Sequence, residues 1–333
     1  MSDPDTVTSD TACGEAADGS ADDKPRPTDY DVVIVGGGPA GCAAGVFTAR
    51  YGLDTVIFDR GNSSLQRCAF LENYLGFPAG IDVGTFTDLI HDHAREAGCE
   101  LVDDMVASVR RTADAEGDSD TAGRKPIENV HSPRFVVETQ DGRQATPAHV
   151  LTATRYGGEY LRPLDDGGAM FRTFERDGES TEYFDPAYAD ADGRTPIDGL
   201  YVASPSGDRD TQVVTAAGQG GHVARSLIRD RRREQGYPEP VADYWDWFRR
   251  AAELPADERE EHWRSYFDER VPDDHGLGEA ELAALRATDV DRLSQAYCDP
   301  AAVDERTQRG YDRLLDHVGE ERIRAYLNES DAQ

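Results

Sequence analysis

The segment that most constrains this chain is DVVIVGGGPAGCAAGVFTARYGLDTVIFDR, residues 31–60. Val32, Val33, Ile34 and Val35 are consecutive β-branched residues and read as a buried strand opening at Asp31. A glycine turn follows, then a helix over residues 39–51 and a second strand over 55–58 that ends on Asp59. Each glycine has a mechanical reason. Gly36 permits the tight turn, Gly38 lets backbone approach a pyrophosphate, and Gly41 lets the helix pack close on the strand. The helix N-terminus, entered at Pro39 and Ala40, supplies N–H groups and partial positive charge for phosphates. Asp59, with Arg60 beside it, is placed for the adenosine ribose hydroxyls. The pattern predicts an α/β fold with a Rossmann-like dinucleotide-binding unit, and leaves FAD and NAD both open.

The remaining chain extends that unit. Residues 1–28 are polar and acidic with almost no large apolar side chains, and are expected to form a disordered tail. Apolar residues over 85–97 recur at helical spacing and stop at Gly98. Strands are expected over 101–110, 135–139, 150–154 and 200–203, with a polar, flexible insertion at 113–132. Residues 156–196 carry a weak pattern that suggests a hairpin and a crossing segment, and an apolar helix follows over 212–229. These elements make one nucleotide-binding domain over 29–235, small β-meander included. After Gly236 the aromatic and leucine positions (Tyr244, Trp247, Phe248, Leu282, Leu285, Leu314, Leu315, Ile323, Leu327) recur at helical spacing, which predicts a helical C-terminal module over 236–333.

Charge narrows the partners. The net charge is −31, and Lys24 and Lys125 are the only lysines. Such a surface repels nucleic acid and anionic lipid. Because the acids are spread along the whole chain and not gathered in a tail, they point to a salty cytoplasm in which salt screens their repulsion. The most apolar stretch, residues 32–49, holds the glycine turn and is no membrane span, and the N-terminus lacks a signal-peptide pattern. A cytoplasmic protein is expected. The five cysteines form no CxxC pair and suggest neither a disulfide framework nor a zinc site.

Further along, several segments resemble the thioredoxin reductase family. The block with Pro39, Ala40 and Gly41 looks like that family's FAD site. LENYLGFPAGIDVGTFTDLIHDHAREAGCEL, residues 71–101, resembles its stretch beside the flavin ring, down to the spacing of Glu72-Asn73-Tyr74 and Gly76-Phe77-Pro78. Residues 150–154 look like its second nucleotide-side strand, and residues 199–228 resemble its closing FAD motif. The resemblance implies FAD as cofactor, with Asn73 near the flavin, Ala153 and Thr154 on the nucleotide side, and Gln212 and Val213 presenting backbone to the flavin pyrimidine edge. A helix N-terminus suits that edge, where reduced flavin carries negative charge.

The departures from the family pattern matter equally. Arg155 stands where the family has Gly, and Ser204-Pro205 stands where it has Gly-Asp, with Asp208 the substitute acid after a longer turn. Residues 155–199 are too few for a second nucleotide domain, which takes on the order of 100 residues, and contain no GxGxxG and no Cys. The family's NADPH domain and redox dithiol are therefore expected to be absent.

Cys68 reads either as a flavin-adjacent thiolate or as packing, and His222 in the closing helix either as a proton shuttle or as packing. Cys42 and Cys99 read as core. His91 and His93, two apart on a helix, face different ways and do not share a metal. Tyr244, Trp245, Trp247 and Phe248 read as a core stripe or a flavin cover. Three functions follow: two-electron transfer between flavin and a small substrate or protein redox partner; FAD binding in a non-enzymatic sensor; and an oxidase or monooxygenase using transiently bound NAD(P)H. A homodimer is compatible with each.

Overall fold

The computed structural model describes residues 27–113, 132–155, 157–176, 179–206 and 212–330. Nearly all of the expected tail and insertion, together with Asp208, lie outside the described residues.

The first strand, β1 (Thr28–Val35), begins earlier than Asp31 because Thr28, Asp29 and Tyr30 pair with Ala145, Thr146 and Pro147. The chain then forms α1 (Pro39–Tyr51), β2 (Thr55–Phe58), α2 (Val83–Glu96) and β3 (Glu100–Val102). Gly52 ends α1 at φ 97°, a left-handed position that glycine reaches without a Cβ clash. The strand expected over 101–110 is two strands, β3 and β4 (Val106–Arg111). They serve different partners: β3 runs parallel to β2, whereas β4 runs antiparallel to β5 (Phe135–Thr139). One continuous strand cannot do both.

Next, β6 (Gln144–Ala153) has two partners on one side. Gln144 and Ala145 pair antiparallel with β5, and Val150–Ala153 pairs parallel with β9 (Leu200–Ser204). The seven-stranded sheet therefore runs β3-β2-β1-β6-β5-β4, with β9 also beside β6. Between β6 and β9, the described residues form a short 3-10 turn (Glu159–Leu164), an antiparallel hairpin of β7 (Phe171–Arg176) and β8 (Glu179–Phe184), and a second 3-10 turn (Pro186–Tyr188).

Side-chain alternation divides the core. Val32, Ile34, Ile57 and Leu151 face α1 and α3 (Val213–Glu234), while Val33, Val35, Val56 and Val150 face the meander and the 3-10 turn. The helices α1 and α3 meet closely: a Cβ on Gly220 would lie 1.9 Å from the Ala40 carbonyl oxygen.

Beyond residue 236 come α4 (Arg259–Arg270), α5 (Glu279–Gln295), α6 (Pro300–Val318) and α7 (Glu320–Ser330). The helix anticipated around Tyr244–Phe248 is instead an extended strap. Its end, β10 (Arg249–Arg250), pairs with β11 (Tyr297–Cys298), which demands extended backbone. Tyr244 is buried edge-on against Tyr51 at 4.7 Å, but Trp245, Trp247 and Phe248 are exposed, so these four do not form one core stripe. Arg50 and Arg225 lie 5.6 and 5.2 Å from the Phe248 and Trp245 rings, cation–aromatic contacts that hold the strap across α1 and α3.

The strap and the helices are locked on by Arg232, in the last turn of α3. Its guanidinium is 1 % exposed and donates twice to Asp289 of α5, at 2.8 and 3.0 Å, and to the Val241 and Ala242 carbonyls. Among the described residues, no helix is long and apolar enough to cross a membrane.

Candidate nucleotide-binding site

A cavity of about 400 Å³ opens outside the carboxyl ends of β1, β2 and β6, the place where parallel α/β sheets receive ligands. Gly36, Gly37, Gly38, Pro39 and Ala40 form its floor. Phe58, Asp59 and Arg60 line one wall, Ala153, Thr154 and Arg155 the other, and Met105 and Tyr160 close the sides.

The glycines divide their work as their chemistry requires. Gly36 has φ 108°, and a Cβ there would lie 2.7 Å from the Ala153 carbonyl oxygen. On Gly41 a Cβ would lie 1.8 Å from the Gly36 carbonyl oxygen, so any side chain forces α1 away from β1. Gly41 accordingly sits behind the cavity and shapes it without lining it. At Gly38 a Cβ meets only Ser63 Oγ, at 3.6 Å, so the space bared there is the cavity itself. This cradle of backbone and helix N-terminus fits the pyrophosphate of a dinucleotide.

Asp59 accepts the Gly61 N–H at 3.2 Å, which directs its carboxylate along the cavity wall. His91 is a site residue that sequence reasoning missed. From α2 its Nε2 lies 2.9 Å from the Gly37 carbonyl oxygen and 3.5 Å from Asp59 Oδ2, touching both the turn and the acid. The only sequence signal was its helical position, without indication of what it faces. Tyr160 is a second missed residue. Its hydroxyl lies 2.9 Å from Thr154 Oγ1, and burial raises its pKa to about 12, so it stays protonated.

The expected flavin-side residues also meet. Asn73 Nδ2 donates to Gln212 Oε1 at 2.8 Å, joining two segments far apart in sequence. Gln212 precedes α3 as its N-cap, in a capping box with Thr215, and Val213 packs beside Phe86 and Leu71. The N-terminus of this 22-residue helix is thereby fixed beside Asn73.

Asn73, Gln212 and Val213 do not line the cavity, and neither do the two candidate catalytic residues. Cys68 is exposed, its thiol donates to the Phe70 carbonyl at 3.2 Å, and it does not line the cavity. His222 is exposed on α3 with Nε2 3.0 Å from Asp192 Oδ1, also outside the cavity lining. Cys42 and Cys99 are buried, and burial raises both thiol pKa values, that of Cys99 to about 12. Neither is a thiolate at neutral pH.

Residues 30–174 match the family described as pyridine nucleotide-disulphide oxidoreductase. Thioredoxin reductase of Streptomyces clavuligerus is 34% identical over 112 residues, covering 33% of each chain. Thioredoxin reductase of Listeria monocytogenes is 39% identical over 75 residues, covering 21% of this chain and 23% of that one. Among solved structures, a thioredoxin reductase from Gloeobacter violaceus overlaps loosely, with TM-score 0.45 and 18% identity over 66% of this chain and 98% of that one. The chain spans about a third of the length of the first curated relatives it matches. With the cradle in place, residues 30–174 are similar to the pyridine nucleotide-disulphide oxidoreductase family and, within it, to thioredoxin reductases.

Proposed function

We propose that this chain is an FAD-dependent oxidoreductase with one nucleotide site, working without the second nucleotide domain and dithiol that a thioredoxin reductase carries. The observation that supports it most is the direct parallel pairing of β6 with β9, with two short 3-10 turns and the β7–β8 hairpin as the regular elements among the described residues between them. FAD, when bound, supplies two-electron chemistry to a small substrate or a protein redox partner. The chain's own residues do the holding. The turn from Gly36 to Ala40 takes the pyrophosphate, Asp59 takes the ribose hydroxyls, and Asn73 with the Gln212–Val213 helix start orients the flavin pyrimidine edge. The spread of acidic residues supports a salty cytoplasm as the working environment.

Anaerobic reduction of the purified protein in high salt tests this reading. The protein should be yellow, and a colourless protein that does not take up FAD ends the proposal. Bleaching by a dithiol or a small organic donor, with NADPH and NADH inert, is the expected outcome. Rapid bleaching by NADPH or NADH would favour an oxidase or monooxygenase that binds its reductant transiently.

A further inference from the structure

We infer that the α6–α7 hairpin is a self-association surface, and that its occupant is the same hairpin of a second copy of this chain. Val303, Tyr311, Leu314, Leu315 and Val318 recur at helical spacing and form one apolar stripe along α6. Such a stripe normally faces the core. Here none of the five is buried, and α7 adds exposed Tyr326 and Leu327.

Helix α6 is docked by its opposite face. Arg309 pairs with Glu96, Arg313 pairs with Asp92 and Glu96, and His317 Nε2 lies 3.1 Å from Asp92 Oδ2. These three positions are spaced i, i+4 and i+8, so the charged side rests on α2 while the apolar side points outward. A helix held by its polar face leaves its apolar face for something else to cover.

Two observations favour a second copy. First, area: two tyrosines of roughly 150–250 Å² and five Val and Leu side chains of roughly 100 Å², all about half exposed, offer on the order of 500 Å² of apolar surface. That is about the apolar share of the roughly 800 Å² per partner of a standard stable interface. Second, the stretches outside the described residues have little with which to cover the stripe from within. Residues 1–26 contain only Met1 and Val7 as large aliphatic side chains, and residues 114–131 only Ile127 and Val130. A helical stripe meets its own copy in a two-fold, self-complementary contact, which closes at a dimer.

Sedimentation velocity of the full flavin-loaded chain across a salt series tests this. In molar KCl the wild type should run at about twice 36.5 kDa, and the dimer should weaken as salt falls and acidic repulsion is unscreened. The triple variant Tyr311→Glu, Leu314→Glu, Val318→Glu should raise the dissociation constant by about 100-fold or more, with circular dichroism and flavin content unchanged. Should the triple variant lose helix, Leu314→Gln alone must still weaken the dimer by about tenfold. The proposal is overturned by a wild type that stays monomeric at about 50 µM in high salt, even if it gains mass with another protein. It is equally overturned by a dimer that survives the substitutions, or by one that dissociates as salt rises.

Discussion

Removing Asp289 should loosen the strap and the C-terminal helices more than any surface change. In the native protein Arg232 is almost completely enclosed and makes four donated hydrogen bonds, two of them to Asp289. Its guanidinium also stacks 3.8 Å from the Tyr237 ring centroid. Asp289→Ala deletes both charged bonds and leaves a buried cation with only the Val241 and Ala242 carbonyls. Hydrogen bonds to charged groups contribute about 1.5–3 kcal/mol each, and breaking a buried pair costs about 3–5 kcal/mol. Against a typical total stability of about 5–15 kcal/mol, that is a large fraction. The paired replacement Arg232→Met with Asp289→Leu removes the stranded charge as well, so it should be far milder than Asp289→Ala alone. The exposed pair Arg286–Asp268, 2.8 Å apart, is the internal control, and Asp268→Ala should cost no more than about 1 kcal/mol. Urea unfolding of the four proteins, followed by far-UV circular dichroism in high salt, measures the differences. If Asp289→Ala costs no more than Asp268→Ala, Arg232 is not the lock described above.

Three further outcomes are expected. Gly41→Ala should abolish flavin retention, because the new methyl group falls 1.8 Å from the Gly36 carbonyl oxygen and spreads the cradle; a normal flavin-to-protein absorbance ratio would refute this. His91→Ala should weaken FAD binding to the apoprotein by about five- to tenfold, the loss of one hydrogen bond of about 1 kcal/mol at the turn, and a change within about twofold in a fluorescence titration would show that His91 is a bystander. His149 is fully buried, and burial, then Arg134 and Arg231, push its pKa well below 6.5. The unfolded chain takes up a proton as pH falls below about 6.5 while the native state does not, so this contribution is complete above that pH and is lost below it, at up to about 1.4 kcal/mol per pH unit. His149→Leu should therefore flatten the fall in urea midpoint between about pH 6.5 and about pH 5, and parallel curves for variant and wild type would count against it.

The nucleotide cradle was legible from sequence because it is local. Gly36, Gly38, Gly41 and Asp59 act within one strand–turn–helix–strand unit, where backbone geometry and side-chain size at fixed spacings specify the shape. The Gln212 helix start was legible for the same reason, since a helix N-terminus is encoded by its own first residues. Chain pattern alone did not distinguish one strand from two over residues 101–110, because β3 and β4 differ in partner more than in composition. Nor did it reveal that Tyr244–Phe248 is extended: Tyr244 and Phe248 fit helical spacing, but β10 pairs with β11 across a long stretch of chain and overrides it.

Tertiary structure alone decided which polar groups matter. His91 became a site residue only when α2 docked with its Nε2 against Gly37 and Asp59. Arg232 became a buried lock only when α5 delivered Asp289, and the apolar side of α6 became a surface only when its charged side found Asp92 and Glu96. Sequence spacing fixes which side chains share a face, but the partner of that face comes from elsewhere in the chain, and only folding brings the two together.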